Sequence, residues 1–241
     1  MPVADARPLE GSVALVTGAS RGIGAAVALE LARLGAHCVL TARTQGALED
    51  VDDAIRAVGG SATLFPLELV KDGEKLDMLG PSIVSRFGRL DILVHAAGLL
   101  AKLTPVAHIM PTDWQHSVAT NLTACWRLIR TCDPPLRAAP AGRAVVLTDG
   151  LVAAPRAYWG LYGFGKAGQD HLVRSWAAEV ESTPLRVNLV DPGPVATRLR
   201  ATAMPGEDPA SLRQPADVAA GIAALCLPAE TRHGAVVSLL A

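Results

Sequence analysis

The stretch Val13-Ala14-Leu15-Val16-Thr17-Gly18-Ala19-Ser20-Arg21-Gly22-Ile23-Gly24 decides how this chain folds. An apolar run ends at Thr17, glycines punctuate the turn that follows, and Ile23, Val27, Leu31 and Leu34 then recur at helical spacing. Strand, turn and helix in that order form the entry to a nucleotide-binding βαβ unit. Gly18 permits the tight turn, Gly22 lets the backbone approach a pyrophosphate, and Gly24 lets the helix pack against the strand. The helix would begin at the phosphates, where its free N–H groups and positive dipole end favour an anion. The spacing is Gly-x3-Gly-x-Gly rather than the Gly-x-Gly-x2-Gly of the general dinucleotide fingerprint. A purely structural turn is therefore the competing reading, since any sharp strand-to-helix turn uses glycines.

Outward from this stretch, strands and helices alternate. Strands are expected at residues 37–41, 62–66, 91–95, 144–148, 185–190 and 235–240. Helices are expected at 48–58, at 72–87 with a break at Gly80-Pro81, from Thr112 to a stop at Pro134-Pro135, at 158–181 and at 215–226. Thr112-x-x-Gln115 has the form of a capping box. The strands are unbroken apolar runs, as expected when both faces of a parallel sheet are covered. With no repeat, low-complexity tract or linker, the chain reads as α/β, a doubly wound parallel sheet in one domain spanning residues 1–241. The Pro-, Gly- and charge-rich stretch 192–215 is the longest irregular segment, and a substrate lid is expected at about 194–214.

Composition sets further bounds. The 241 residues are half apolar and carry a net charge of −1, with no basic cluster of the kind nucleic acid requires. Cys38, Cys125, Cys132 and Cys226 fall singly, without ligand spacing, and read as reduced thiols of a cytoplasmic protein. His95, His108 and His171 are too dispersed to hold a metal, so no metal site is expected. The N-terminal segment, with Asp5, Arg7 and Glu10, lacks the apolar core of a signal peptide, and no apolar run approaches the roughly 20 residues of a membrane span.

The nucleotide can be narrowed. A site for unphosphorylated NAD places an acidic residue at the end of the second strand, to accept from the ribose 2′-OH. This chain has Thr41-Ala42-Arg43 there, with Arg21 inside the glycine turn on the same side. Two guanidiniums and no carboxylate suit a 2′-phosphate, so NADP(H) is expected in preference to NAD(H). Two ordinary surface arginines are the alternative.

Together these residues resemble the short-chain dehydrogenase/reductase family in its single-domain form. Thr17-Gly18-Ala19-Ser20-Arg21-Gly22-Ile23-Gly24 looks like its cofactor motif, and His95-Ala96-Ala97-Gly98 resembles its Asn-Asn-Ala-Gly signature. Asn121, Tyr162-x3-Lys166 and Asp191-Pro192-Gly193-Pro194-Val195-Ala196-Thr197 match the later motifs in order, so the resemblance covers roughly residues 11–240. It implies a Rossmann fold of about seven strands, a nicotinamide cofactor, hydride exchange with a small carbonyl or alcohol, and a homo-oligomer, a dimer or tetramer. The cofactor would be held by Gly18, Ser20, Arg21, Gly22, Ile23, Gly24, Arg43, Glu68, Ala97, Gly98, Lys166, Pro192, Gly193, Val195 and Thr197. Lys166 would hold the nicotinamide ribose, Asn121 would order a water connecting Lys166 to solvent, and Thr197 would bond the carboxamide.

The chemistry follows from residue types. A phenol titrates near ~10, so Tyr162 needs its anion stabilised to work at neutral pH. Lys166, one helical turn on, projects from the same face and would lower that value. Tyr162 would then give a proton to a carbonyl oxygen as hydride reaches the carbon, or take it in reverse.

The pattern breaks at one position. The family has a serine 13 residues before the tyrosine, and this chain has Asp149 there, in Leu147-Thr148-Asp149-Gly150. Asp149 is protonated and donates as serine would; or Thr148 supplies the hydroxyl; or an ionised Asp149 opposes the Tyr162 anion, leaving a catalytically impaired protein that binds NADP(H) as a sensor or scaffold. Ala96 for asparagine and Glu68 for the usual aspartate near the adenine are lesser departures. Tyr158 and Trp159 either wall a substrate pocket or pack in the core; Val195, Leu199 and Met204 are placed for the apolar side of a lid. Arg198, Arg200 and Arg213 would favour an acidic substrate, although Glu207 and Asp208 beside them make a solvated face the plainer reading.

Overall fold

Seven parallel strands follow one another across the sheet in the order β3-β2-β1-β4-β5-β6-β7. They are β1 (Val13–Thr17), β2 (His37–Thr41), β3 (Ser61–Leu64), β4 (Ile92–His95), β5 (Arg143–Leu147), β6 (Arg186–Asp191) and β7 (Val236–Ser238). This is a computed structural model, and it describes residues 7–240. Residues 1–6, including Asp5 of the N-terminal segment, and residue 241 lie outside the described residues.

The strand order explains the hydrophobic runs. In β1, Ala14 and Val16 face one core while Val13 and Leu15 face the other, and all four are buried. The first core takes Val27 and Leu31 of α1 (Gly22–Arg33), Leu48 and Ile55 of α2 (Gln45–Ala57), and Val218 and Ile222 of α9 (Pro215–Ala224). The second takes Leu76 of α3 (Gly73–Asp77), Leu79 and Ile83 of α4 (Leu79–Phe87), Cys125, Leu128 and Cys132 of α6 (Ala124–Ala138), and Val173 and Trp176 of α7 (Gly160–Glu179). Helices cover both faces, so a strand with a polar side chain on either would bury it.

Four details differ from the sequence reading. The capping box at Thr112 does not form: α5 (Pro111–Val118) starts one residue earlier, with Pro111 pre-set for a first helical position, and Met110 caps it without a side-chain bond. The only residues meeting that pattern in the described chain are at α9, where Asp217 Oδ2 accepts from Gln214 N at 2.6 Å. The helix through 124 does not stop at Pro134-Pro135 but runs to Ala138, because its buried face, Leu128, Cys132 and Leu136, holds it against the sheet and Trp176 Nε1 donates to Asp133 at 2.7 Å. The break in the 72–87 stretch falls at Met78, leaving Pro81 in the first turn of α4, where its missing N–H has no partner to lose. The irregular stretch after β6 contains a short helix, α8 (Arg198–Ala203), started by Thr197, whose Oγ1 accepts from Arg200 N.

Strand order reverses between β1 and β4, which opens a crevice at their carboxyl ends. Gly18 leaves β1 at φ +66, and a Cβ on it would stand 2.8 Å from the Ala97 backbone across that crevice. A Cβ on Gly24 would stand 2.3 Å from the Gly18 carbonyl oxygen. The turn exists in this form only because both lack side chains.

Candidate active site

A cleft of about 1110 Å³ lies over the carboxyl ends of β1, β4, β5 and β6. Gly18, Ser20, Arg21, Gly22, Ile23 and Gly24 form one wall of it. Arg43, after β2, and Glu68, after β3, line the adjoining end, with Arg21 and Arg43 both exposed. Glu68 pairs with Lys71 at 3.3 Å. Ala97 and Gly98 follow β4 into the cleft, and Pro192, Gly193, Val195 and Thr197 follow β6.

The glycine wall is shaped for an anion. The first turn of α1 holds no acidic residue, and Arg21, which precedes it, gives it no side-chain cap, so its leading N–H groups lack a side-chain partner. A Cβ on Gly22, at φ +57, would stand 3.5 Å from Thr197 Cγ2, filling the gap between the turn and the β6 loop.

The far end of the cleft carries the ionisable groups. Tyr162, in the first turn of α7, is buried, and its hydroxyl donates to Asp149 Oδ2 at 3.3 Å. Asp149 follows β5, and its Oδ1 accepts from Leu151 N at 3.0 Å, which fixes the carboxylate at the start of a short helical turn, Gly150–Val152. Asp191, at the end of β6, accepts from Gly193 N at 2.9 Å, and its Oδ2 lies beside Gly150. Trp159 stacks edge-on to Tyr162 with ring centroids 6.0 Å apart and lines the cleft; Tyr158 is exposed, at φ 74, away from it.

Tyr162 does not behave as the sequence suggested. Burial, followed by the charge of Asp149 and its acceptance of the phenol proton, pushes the phenol well above its ordinary value, and Asp191 adds to the push. Lys166 does not offset this. Its ammonium is buried and donates to the Leu147 carbonyl at 2.8 Å and toward Gln169 Oε1 at 3.5 Å. Burial lowers its own pKa, against the opposing charges of Asp170 and Asp149. The Leu147 carbonyl also accepts from Gln169 Nε2 at 2.9 Å, so Gln169 shares the anchor of Lys166.

Asn121 is not brought to the cleft wall. It lies in a π-helical turn, Ala119–Thr123, between α5 and α6, and is fully buried. Both its amide protons are taken, by the Leu99 carbonyl at 2.8 Å and Ser117 Oγ at 3.1 Å, while its Oδ1 accepts from Leu99 N at 2.8 Å. In this arrangement it clamps the strand-to-helix connection after Gly98, and it makes no direct hydrogen bond to Lys166. Thr148 lines the cleft, buried, and its hydroxyl makes no hydrogen bond with Tyr162.

The remaining candidates sort by contact. His95 is fully buried, its Nδ1 2.7 Å from Thr17 Oγ1, and burial holds its pKa down at about 3, so the ring is neutral. Arg200 forms a two-pronged pair with Glu207 at 2.5 and 2.6 Å, and Arg213 donates to the carbonyls of Leu239 and Pro192, so neither is free for an acidic substrate. Leu199 and Met204 line the cleft. Among the described residues, no group of three or more His, Cys, Asp or Glu is arranged for a metal.

Sequence reasoning passed over Asp191, Gln169 and Leu240. Asp191 stood inside the quoted Asp-Pro-Gly motif, and the carboxylate at a strand end was the signal. Leu240 lines the cleft from the far end of the chain, where a Cβ on Gly193 would meet it, and only the fold reveals this.

Comparison with known proteins agrees with this geometry. A family model described as short chain dehydrogenase matches residues 12–208. The uncharacterized oxidoreductase YciK of Escherichia coli is 34% identical over 212 residues, covering 87% of this chain and 84% of that protein. A short chain dehydrogenase structure from Salmonella enterica serovar Typhi superposes with a TM-score of 0.93 at 31% identity, covering all of both chains. A structure from Escherichia coli CFT073, complexed with NADPH, superposes with a TM-score of 0.91 at 31% identity, again covering all of both chains.

Proposed function

This chain belongs to the short chain dehydrogenase family, and on that premise we propose that it is an NADP(H)-dependent oxidoreductase exchanging hydride with a small carbonyl or alcohol. The observation that carries the reading is one cleft with a three-glycine anion cradle at one end and Tyr162, Asp149 and Lys166 at the other. The cradle fits the cofactor: a side chain at Gly22 would fill the gap facing Thr197, side chains at Gly18 or Gly24 would break the turn itself, and the N-terminal end of α1 is free of acidic groups.

In this reading Gly18, Ser20, Gly22, Ile23 and Gly24 face the diphosphate, while Arg21 and Arg43 read the 2′-phosphate through their planar forks. Glu68, Ala97 and Gly98 line the adenine and ribose path, and Pro192, Gly193, Val195 and Thr197 border the nicotinamide. A bound nicotinamide supplies or accepts the hydride. Lys166, buried beneath Tyr162, presents its remaining N–H to the ribose hydroxyls; Asn121 supports the Leu99 backbone that frames them.

Tyr162 holds its proton at neutral pH, because burial and two carboxylates oppose its ionisation. It is therefore ready to donate to a carbonyl oxygen and a poor base for the reverse direction. Asp149, standing where the family has serine, orients the phenol by accepting its proton. Impaired turnover is favoured by one observation, the upward push on Tyr162, but that push falls on a group that already carries the proton a reduction needs.

The stacked, exposed rings of Trp114 and Phe164, 5.1 Å apart on α5 and α7, support a homo-oligomer closing over these helices, a dimer or tetramer. No helix among the described residues is long and apolar enough to cross a membrane, and four free, buried cysteines suit a cytoplasmic protein. Fluorescence titration with NADPH and NADH, then cofactor absorbance with a panel of ketones and aldehydes, tests the reading. Tighter NADPH binding and carbonyl-dependent oxidation are expected; absence of nucleotide binding would overturn it.

A further inference from the structure

Two carboxylates stand at the reacting end of the cleft without a close ion-pair partner. Asp149 Oδ2 accepts a hydrogen bond from the Tyr162 hydroxyl at 3.3 Å, and Asp191 lies against Gly150, the next residue. None of the ion pairs among the described residues involves either one. Three of the cations around them are engaged elsewhere. Lys166 turns to the Leu147 carbonyl and Gln169, Arg200 to Glu207, and Arg213 to the carbonyls of Leu239 and Pro192. Arg156 and Arg198 line the cleft as exposed side chains without an ion pair among the described residues.

A plain ketone meets this arrangement badly. It brings only acceptor lone pairs, and to be held it must draw the phenol proton away from Asp149. Its oxygen then gains negative charge beside a carboxylate that has lost a donor. An ammonium group one carbon away changes each of these terms. Its N–H donates to Asp149, the carbonyl oxygen accepts from Tyr162, and its charge offsets the two carboxylates that hold the phenol in its neutral form. The sizes also agree: in the amino alcohol, gauche N and O on adjacent sp³ carbons lie about 3 Å apart, against 3.3 Å between Tyr162 Oη and Asp149 Oδ2.

We propose that the substrates are α-amino ketones and their 1,2-amino alcohol counterparts, with Asp149, backed by Asp191, selecting the protonated amine. This rests on the hydride-exchange reading above and names its substrate class. In the reductive direction the carbonyl carbon takes the hydride supplied by NADPH, the C=O π pair moves to oxygen, and that oxygen takes the Tyr162 proton, which solvent restores. The ammonium nitrogen keeps its proton throughout.

The test compares aminoacetone with hydroxyacetone, which has a hydroxyl in place of the ammonium, by NADPH absorbance near neutral pH. The wild-type protein is expected to favour aminoacetone at least tenfold in kcat/KM. Asp149→Asn, and Asp149→Ser if the first does not fold, should bring the ratio within about threefold, with the change carried by the KM for aminoacetone. A calorimetric titration of the NADP⁺-saturated protein with 1-amino-2-propanol and with 1,2-propanediol supplies a readout free of turnover: only the amine should bind, and Asp149→Asn should weaken it at least tenfold. Equal or better use of hydroxyacetone, or an amine that binds no more tightly than the diol, overturns the proposal and leaves the oxidoreductase reading standing. Failure to bind NADPH at all would instead remove the reading beneath it.

Discussion

The hydroxyl of Tyr162 points at Asp149 Oδ2, 3.3 Å away, across 13 residues of chain. The contact joins the end of β5 to the first turn of α7, so it depends on two elements that are each anchored elsewhere. β5 is paired on both edges, and α7 buries Val173 and Trp176 against the sheet. The partners are therefore held by the fold, not by their attraction for one another. A neutral donor meets an anionic acceptor, and both are partly withdrawn from water, which is why the phenol proton is hard to remove.

Asp149→Asn should lower the Tyr162 pKa. Of the causes that raise it, burial is the largest and remains, but the charge of Asp149 goes, and the amide oxygen left in its place accepts the phenol proton more weakly than a carboxylate. The expected outcome is tyrosinate absorbance for this residue appearing at lower pH in the variant, assigned by difference from Tyr162→Phe. An unchanged titration would mean that burial alone sets the value.

Arg43→Ala should weaken NADPH binding by tenfold or more, roughly 1.4 kcal/mol or above, and NADH binding far less. Arg43 and Arg21 are exposed at the cleft end beyond β2, and neither forms an ion pair among the described residues. A guanidinium bound to phosphate in two places loses more than a screened surface charge does. Fluorescence titration with both nucleotides measures it, and equal losses would show that no 2′-phosphate is read at Arg43.

How much of this was legible in the sequence follows from how local each constraint is. The turn at Gly18, Gly22 and Gly24 was legible because backbone geometry alone demands glycine there. The alternation of strands and helices followed from apolar runs between helical periods, whereas the order of the strands across the sheet came only with the fold. Asp149 was found by counting back from Tyr162, but its effect on the phenol was not, since that depends on burial that only packing supplies. The same holds for Lys166, which was expected to project from the same face as Tyr162 and whose bond to the Leu147 carbonyl no local pattern announced. Pro134-Pro135 looked like a stop because local rules oppose proline inside a helix, and tertiary contacts at Leu136 and Asp133 overrode them. Asn121 was named by motif alone; its clamp on Leu99 comes from a π-helical turn that no residue pattern announced.

Gly24→Ala should destabilise the protein and reduce nucleotide binding together. The added Cβ would fall 2.3 Å from the Gly18 carbonyl oxygen, a backbone atom that cannot move without opening the turn. Overpacking of this kind costs about 1–3 kcal/mol. Gly46→Ala, in the first turn of α2 with nothing within 4 Å of the new Cβ, is the matched control and should leave stability unchanged or raise it by a few tenths of a kcal/mol. Urea midpoints and NADPH titrations on both variants decide it. Similar behaviour of the two would show that the turn yields.

His95 should make stability fall as the medium becomes acidic. Its folded pKa is held down at about 3 by burial, with the charge of Lys166 adding to the effect, while in the unfolded chain it titrates near 6.5. The sign follows from proton counts. Below about 6.5 the unfolded state binds a proton that the folded state refuses, so the neutral ring's contribution is whole above 6.5 and is lost progressively as pH falls toward 3. In that window a single such group changes the unfolding free energy by up to about 1.4 kcal/mol per pH unit. His95→Asn removes the titration while keeping a polar side chain of similar reach beside Thr17. Carboxylates titrate in the same range, but they are common to both proteins and cancel in the difference. Urea unfolding at pH 7, 6, 5 and 4.5 should therefore show the wild type losing stability faster than the variant, with the gap between them narrowing or reversing toward low pH. Parallel curves would mean that the buried ring is protonated as readily folded as unfolded.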